Sequence, residues 1–233
     1  MSTTPYAGTR LRARAVLIDL DGTLLDTVAD LAAAVNAMLT ELGRHPIAEA
    51  TVASYVGKGA EVLVHRALGG GHDARVAPAE HAVGLDAFSR HYEVANGRHA
   101  RTYAGVREGL DLLRDKGLRL GCVTNKPHRF AEPLLVRCGL REAFELVIGG
   151  DSLPAKKPDP LPMRHTARGL GAEPHETVAI GDSINDALAA RAAGMTVLIV
   201  PYGYNEGHDV ATLDTDGIVG SLLEAAERID PIR

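Results

Sequence analysis

The sequence predicts an α/β fold: a Rossmann-like parallel sheet core with helices on both faces, interrupted by an inserted all-helical domain. Three observations predict it. Short apolar runs recur along the chain, each followed by a turn and then a helical pattern. These runs are near-continuously apolar and rich in β-branched residues, as strands buried on both faces are, rather than alternating. One long stretch, 27–103, carries helical periodicity alone.

The first strand, residues 15–20, runs into the acidic turn DLDGT at residues 19–23. The inserted segment follows. Leu31, Val35, Met38, Leu39 and Leu42 share one helical face, Val62, Leu63, Ala67 and Leu68 part of a second, and Phe88 and Tyr92 part of a third. No strand is expected between Thr27 and about Tyr103. The core resumes with a helix on which Val106, Leu110 and Leu113 recur, stopped at Gly117. Residues 118–123 (LRLGCV) form the second strand, and a helix started by Pro127 runs to Gly139. Proline at the start and glycine past the end is the asymmetry that helix termini favour. Residues 146–148 make a brief third strand and residues 177–180 (TVAI) the fourth. A helix opened by Asn185 or Asp186 ends at Gly194, and residues 196–200 (TVLIV) are the fifth strand. Two units are expected: residues 1–26 with 104–233 as the α/β core that carries the catalytic site, and 27–103 as the helical domain.

Composition narrows the functional classes. The 233 residues are 45% hydrophobic and 24% charged, which fits an ordinary globular chain rather than a disordered one. The net charge of -5, without a basic block, gives no reason to expect nucleic acid or an anionic membrane as partner. With three Phe, six Tyr and no Trp, a base-stacking platform is not expected either. Two cysteines, Cys122 and Cys138, are too few for a disulfide framework or a cysteine-rich metal site. The start, MSTTPYAGTRLRAR, has basic residues but no long apolar run behind them, and no window offers the roughly 20 apolar residues of a membrane span. A soluble cytoplasmic protein, monomer or homodimer, is the expectation.

In open parallel sheets, functional residues gather at the carboxyl ends of the strands. Asp19 and Asp21 lie there after the first strand, Thr124 and Asn125 after the second, and Asp182 and Ser183 after the fourth, with Asp186 four residues on. Lys156 and Lys157 precede Pro158 in the connection before that fourth strand. Asp19, Asp21 and Asp182 together are like charges whose crowding is unfavourable unless compensated. A hard divalent cation removes the conflict, and Mg²⁺ is typically held by one or two carboxylates, with waters and a substrate phosphate completing its shell. Lys157 adds a charge for a phosphoryl oxygen, Thr124 a hydroxyl donor, and the Gly22–Thr23 turn backbone N–H groups that can form an anion nest. In such a site one ionised carboxylate attacks phosphorus to form an aspartyl-phosphate, and a second, two residues on, protonates the leaving oxygen and later activates water. Each element alone has a bland reading, as a capped turn, a helix cap or surface charge. Four in this order, each at a predicted strand end or loop, do not.

These residues resemble the haloacid dehalogenase superfamily of phosphohydrolases. The resemblance rests on DLDGT (Asp19–Thr23), the Thr of VTNK (Thr124), the second Lys of KKPDP (Lys157) and GDSxxD (Asp182 and Asp186), and it spans nearly the whole chain. It implies that Asp19 is the nucleophile and a Mg²⁺ ligand. It implies that Asp21 is the general acid/base, with its backbone carbonyl on the metal, and that Thr124 and Lys157 bind the phosphoryl group. Asp182 is implied as a further metal ligand, with Asp186 placing the lysine and the metal's waters. The helical insertion resembles the superfamily's helical cap, which sets substrate selectivity.

Within that insertion, Gly57 and Gly59 flank Lys58 at the start of a helix, with Arg66 further along it. Spacing alone leaves two readings, a helix–helix turn with a solvated lysine or an anion site. YVGKGAEVLVHRALGGG, VTNKP, VIGGDSLPAKKPDPLP and the late YGYNEG (202–207) resemble bacterial phosphoglycolate phosphatases, which implies 2-phosphoglycolate as substrate and Lys58 as the residue that holds its carboxylate. YGYNEG is open between such a role and a structural turn. VTNKPHRFAEPLL also resembles the N-acetylmuramic acid 6-phosphate phosphatases, so a sugar phosphate is the alternative. A phosphosugar mutase on the same scaffold is a second. A non-enzymatic phospho-acceptor receiver is a third, disfavoured by the helical insertion. The ten histidines show no metal-ligand spacing.

Overall fold

The computed structural model describes residues 10–232. The core expected from residue 1 therefore includes residues 1–9, which lie outside the described residues. In chain order the elements are β1 (Leu11–Ala13), β2 (Ala15–Ile18), β3 (Leu25–Asp26), α1 (Val28–Glu41), α2 (Glu49–Tyr55), α3 (Ala60–Gly69), α4 (Pro78–Ala95) and β4 (Arg101–Thr102). There follow α5 (Val106–Asp115), β5 (Arg119–Val123), α6 (His128–Arg137), β6 (Leu146–Ile148), α7 (Leu161–Gly169), β7 (Thr177–Gly181), α8 (Ile184–Ala193), β8 (Thr196–Ile199), β9 (Gly217–Ile218), α9 (Leu222–Arg228) and β10 (Ile229–Pro231).

The main sheet has the order β6-β5-β2-β7-β8-β9 with every pair parallel. The chain goes from β2 to β5 on one side and later to β7 on the other, so the order reverses at β2 and a crevice opens at its carboxyl end. Side chains on β2 alternate between two cores. Val16 and Ile18 pack with Leu110 and Leu113 of α5 and Leu222 of α9; Ala15 and Leu17 pack with Met163 of α7 and Ala190 of α8. That burial on both faces is why the strand reads as one unbroken apolar run.

The inserted segment is helical from α1 to α4, with its own apolar core. Leu31, Val35, Met38 and Leu39 of α1 pack against Leu63, Val64 and Leu68 of α3 and Phe88 and Tyr92 of α4, and Phe130 of α6 joins them from the sheet unit. The expected absence of strand between Thr27 and about Tyr103 is corrected at its far margin, by β4. β3 and β4 pair antiparallel, Leu25 with Thr102 and Asp26 with Arg101, where the chain leaves the sheet unit and where it returns. Asp30, fully buried on α1, fastens the return: its carboxylate accepts from the backbone N–H groups of Gly97, His99 and Ala100 at 2.7–3.2 Å.

Other expectations shift slightly for local reasons. Pro127 caps α6 from outside rather than opening it. Helix α8 begins at Ile184, one residue before the expected range, because Ser183 is its cap: the Ser183 N–H and hydroxyl both donate to Asp186 Oδ2, at 3.1 and 2.6 Å. Strands β1, β3, β4, β9 and β10 and helices α2, α7 and α9 were outside the sequence expectation. Among the described residues no helix is long and apolar enough to cross a membrane.

Candidate active site

Asp19 and Thr124 are positioned by the ends of strands, and Lys157 by the connection between β6 and α7. The Asp19 N–H donates to Ile180 O of β7 (3.0 Å), which carries the sheet ladder one step past β2 before the chain turns away. The Thr124 N–H does the same to Ile148 O of β6 (3.0 Å). The turn after Asp19 requires its glycine. Gly22 has φ +88°, and a Cβ there would lie 2.3 Å from Asp182 Oδ2. Thr23, fully buried, donates its hydroxyl to Asp182 Oδ1 at 2.9 Å, tying the first acidic loop to the third.

Lys157 is the electrostatic centre of the site. Its ammonium, 3% exposed, lies 2.8 Å from Asp19 Oδ1 and donates to Asp186 Oδ1 (2.6 Å) and to the Val123 carbonyl (2.7 Å). Burial works against its charge, but Asp186 and Asp19 outweigh burial and hold its pKa above the ordinary lysine value. Asp186 is fully committed, with one oxygen on Lys157 and the other on Ser183. Asn125 spans the two units: its side-chain amide donates to Gly57 O at 3.0 Å and to Lys157 O at 2.9 Å. Gly59, at φ +88°, caps α3 so close to the sheet unit that a Cβ would sit 2.9 Å from Asn125 O.

Asp19, Asp182 and Asp186 bring one carboxylate oxygen each to within 4.8 Å of one another. Burial pushes Asp19 up from 3.8 to about 7; the charges of Asp186 and Asp21 add to this, and Lys157 opposes it. Asp182 is raised by burial and then by Asp186 and Asp19, against the Tyr204 N–H and Thr23 hydroxyl that it accepts. Asp19 Oδ1, although close to Lys157, is buried without a hydrogen bond of proper geometry. Crowded, partly unsatisfied carboxylate oxygens beside the strand ends fit a hard divalent cation.

That crowding has a measurable consequence. The folded protein holds on Asp19 a proton that the unfolded chain releases near 3.8. Without divalent cation, stability is therefore expected to fall as pH rises from about 4 to about 7, and the raised Asp182 acts in the same sense. Exposed carboxylates with lowered pKa, such as Glu145 and Glu176, act in the opposite sense but below pH 4.5. In EDTA, calorimetry between pH 5 and 7 should show Tm falling by roughly 5 °C, and millimolar Mg²⁺ should abolish the slope. A Tm that rises over that interval in EDTA would contradict this electrostatic picture.

Asp21 stands apart from the cluster. Its carboxylate accepts from the Thr27 hydroxyl (2.7 Å) and from Lys126 Nζ (3.0 and 3.2 Å). Lys126, 5% exposed, was not singled out from the sequence although VTNK contains it. Its signal was available: a lysine two residues after a strand-end threonine, in a parallel sheet, sits on the functional rim. Lys58 differs from expectation. Its ammonium is ion-paired to Glu206 Oε2 at 3.1 Å, 40% of its side chain is exposed, and it is not among the residues that line the cavity. Arg66, buried in α3, holds the other Glu206 oxygen at 2.9 Å. The YGYNEG loop thus contributes Glu206 as an acceptor for two cations of the helical unit.

The rim opens on a cavity of about 550 Å³, its mouth included, between the sheet unit and α1–α4. Asp19, Asp21, Thr124, Asn125, Lys126, Lys157 and Ser183 lie on the sheet side; Leu31, Val56, Leu63, Phe88 and Tyr92 face them from the helical unit.

Comparison with known proteins agrees with this arrangement. The family model described as haloacid dehalogenase-like hydrolase matches residues 13–194. A phosphoglycolate phosphatase of Nitrosospira multiformis is 51% identical, over 94% of this chain and 96% of its own. Another from Thiobacillus denitrificans is 48% identical, over 93% and 95%. The crystal structure of "a predicted phosphoglycolate phosphatase" from Haemophilus somnus superposes with a TM-score of 0.87 at 31% identity, covering 92% of this chain and 97% of that one. The parallel sheet with its helical insertion, the strand-end aspartates with their buried lysine, and these matches lead to one conclusion: the chain belongs to the haloacid dehalogenase-like hydrolases.

Proposed function

We propose that the protein hydrolyses 2-phosphoglycolate to glycolate and phosphate, with Asp19 as nucleophile and Asp21 as general acid and base. The observation that carries the chemistry is Asp19 at the switch-point strand, held beside Lys157 with one buried oxygen unclaimed by any hydrogen bond. The observation that carries the substrate is that relatives 40–51% identical over most of the chain are phosphoglycolate phosphatases.

Asp19, Asp182 and the backbone carbonyl of Asp21 would hold Mg²⁺, with Asp186 and Ser183 supporting the site. When bound, the ion neutralises phosphoryl and carboxylate charge. The protein's residues do the rest. Lys157, the Thr124 hydroxyl and the Thr23 N–H hold the phosphoryl oxygens. The Gly22 N–H is taken by Leu25 O at 2.9 Å and the Asn125 side-chain amide by Gly57 O and Lys157 O, so Gly22 shapes the turn and Asn125 braces the loop that carries Lys157. Asp19 attacks in line, and Asp21 gives its proton to the departing glycolate oxygen. Asp21 then takes a proton from the water that breaks the acyl phosphate. Positioning and charge compensation supply most of the rate. Residues 27–103 act as the cap, closing the cavity against water and selecting the leaving group. The work takes place in the cytoplasm on a small phosphorylated metabolite.

The alternative substrate is a sugar phosphate, whose ring would face the largely apolar walls contributed by Leu31, Val56, Leu63, Phe88, Tyr92 and Phe130. The test is phosphate release with Mg²⁺ and with EDTA from 2-phosphoglycolate, N-acetylmuramate 6-phosphate, glucose 1-phosphate, pyrophosphate and a nucleoside monophosphate. Mg²⁺-dependent release with the highest kcat/KM on 2-phosphoglycolate is expected. A sugar phosphate at the top would keep the chemistry and overturn the substrate.

A further inference from the structure

The walls of the cavity carry two lysines. Lys157 is committed to Asp19 and Asp186 at the phosphoryl end. The other is Lys126, and its surroundings are those of a recognition group. It is held by Asp21 through two short contacts, its ammonium sits 4.7 Å from the centroid of the Tyr92 ring, and both residues line the cavity. The Tyr92 hydroxyl is buried without a hydrogen-bond partner. A buried hydroxyl left unpaired is unfavourable unless a ligand completes it. Lys58, the cation at the start of α3, is paired with Glu206 outside the cavity wall.

Position completes the argument. In the reaction proposed above, on which this inference rests, Asp21 faces the oxygen that bridges phosphorus to the leaving group. In 2-phosphoglycolate the carboxylate carbon is two bonds beyond that oxygen. A cation in contact with Asp21 therefore stands where that carboxylate must lie. We propose that Lys126 and the Tyr92 hydroxyl form the leaving-group subsite and select a small carboxylate, Lys126 bridging Asp21 and the substrate while Tyr92 donates to the same head group. One ligand of this subsite comes from the sheet unit and the other from α4, so an anionic leaving group also joins the two units across the cavity.

The test compares 2-phosphoglycolate with 2-hydroxyethyl phosphate, which has a hydroxymethyl group in place of the carboxylate. Wild type should prefer the carboxylate by about 100-fold or more in kcat/KM. Lys126→Met should reduce that preference to within a few fold and abolish competitive inhibition by glycolate, while inorganic phosphate still inhibits, which verifies a folded phosphoryl site. Tyr92→Phe keeps the ring beside Lys126 and should raise KM for 2-phosphoglycolate by roughly 3- to 10-fold with little change in kcat. This second variant stands independently should Lys126→Met fail to fold. Equal losses on both substrates in Lys126→Met would overturn the proposal and leave Lys126 as a positioning residue for Asp21. An unchanged KM in Tyr92→Phe would likewise remove the hydroxyl from the subsite. If wild type itself shows no preference for the carboxylate, the substrate reading falls and this inference with it. A wild-type preference that survives in both variants sinks the inference alone.

Discussion

Asp19→Asn is expected to lower kcat on 2-phosphoglycolate by ~10⁴-fold or more while the protein stays folded. The substitution keeps the shape of the side chain and removes its ability to form an acyl phosphate. Its effect on stability should have the opposite sign to its effect on rate. Asp19 is pushed up to about 7 because burial, Asp186 and Asp21 all oppose its charge. A neutral amide relieves that opposition, so Tm at pH 8 in EDTA should equal or exceed that of wild type. Steady-state phosphate release and a thermal melt check both halves. Turnover within tenfold of wild type would exclude Asp19 as nucleophile.

Lys157→Met should damage rate and stability together. Its ammonium contacts Asp19 and Asp186, and in the pair with Asp186 both side chains are almost wholly buried. Removing one partner of a buried pair strands the other, at a cost of about 3–5 kcal/mol. For a chain of this size that is a Tm lower by roughly 10 °C in EDTA. Saturating Mg²⁺ should restore part of the loss, since a cation among the carboxylates replaces some of the missing charge. It cannot restore the contact to the phosphoryl group, so kcat/KM should remain down by about 10³-fold. Full recovery of activity with Mg²⁺ would confine Lys157 to a structural role.

What the sequence revealed and what it withheld follow from the range of each interaction. Strands β2, β5, β7 and β8 were legible because burial on both faces forces long apolar runs, and residues at their ends were then placed by topology alone. Asp19, Thr124 and Asp182 belong to that class. Helices α1, α3 and α4 were legible through one apolar face each. The strands that escaped are short: β3 is Leu25–Asp26, β9 is Gly217–Ile218, and two residues hold no period. Lys58 and Lys126 show the limit most clearly. Along the chain, Lys58 stands between two glycines at a helix start and looks poised for an anion. The group that captures it, Glu206, lies 148 residues away. Lys126 looks like loop charge until folding brings it to Asp21, 105 residues back, and under Tyr92 of α4. The Lys58 contact crosses from the helical unit to the sheet unit, whereas Lys126 meets Asp21 within the sheet unit and Tyr92 across from it; local patterning carries no signal for contacts so distant along the chain.

The mechanism turns on a covalent phosphoryl-Asp19. The most direct measurement is an acid quench of wild type during turnover of 2-phosphoglycolate radiolabelled in its phosphoryl group, followed by peptide mapping. Protein-bound label is expected that is released by hydroxylamine, as an acyl phosphate is, maps to the peptide containing Asp19, and is absent from Asp19→Asn. Label on any other residue, or rapid turnover with no protein-bound label, would contradict it.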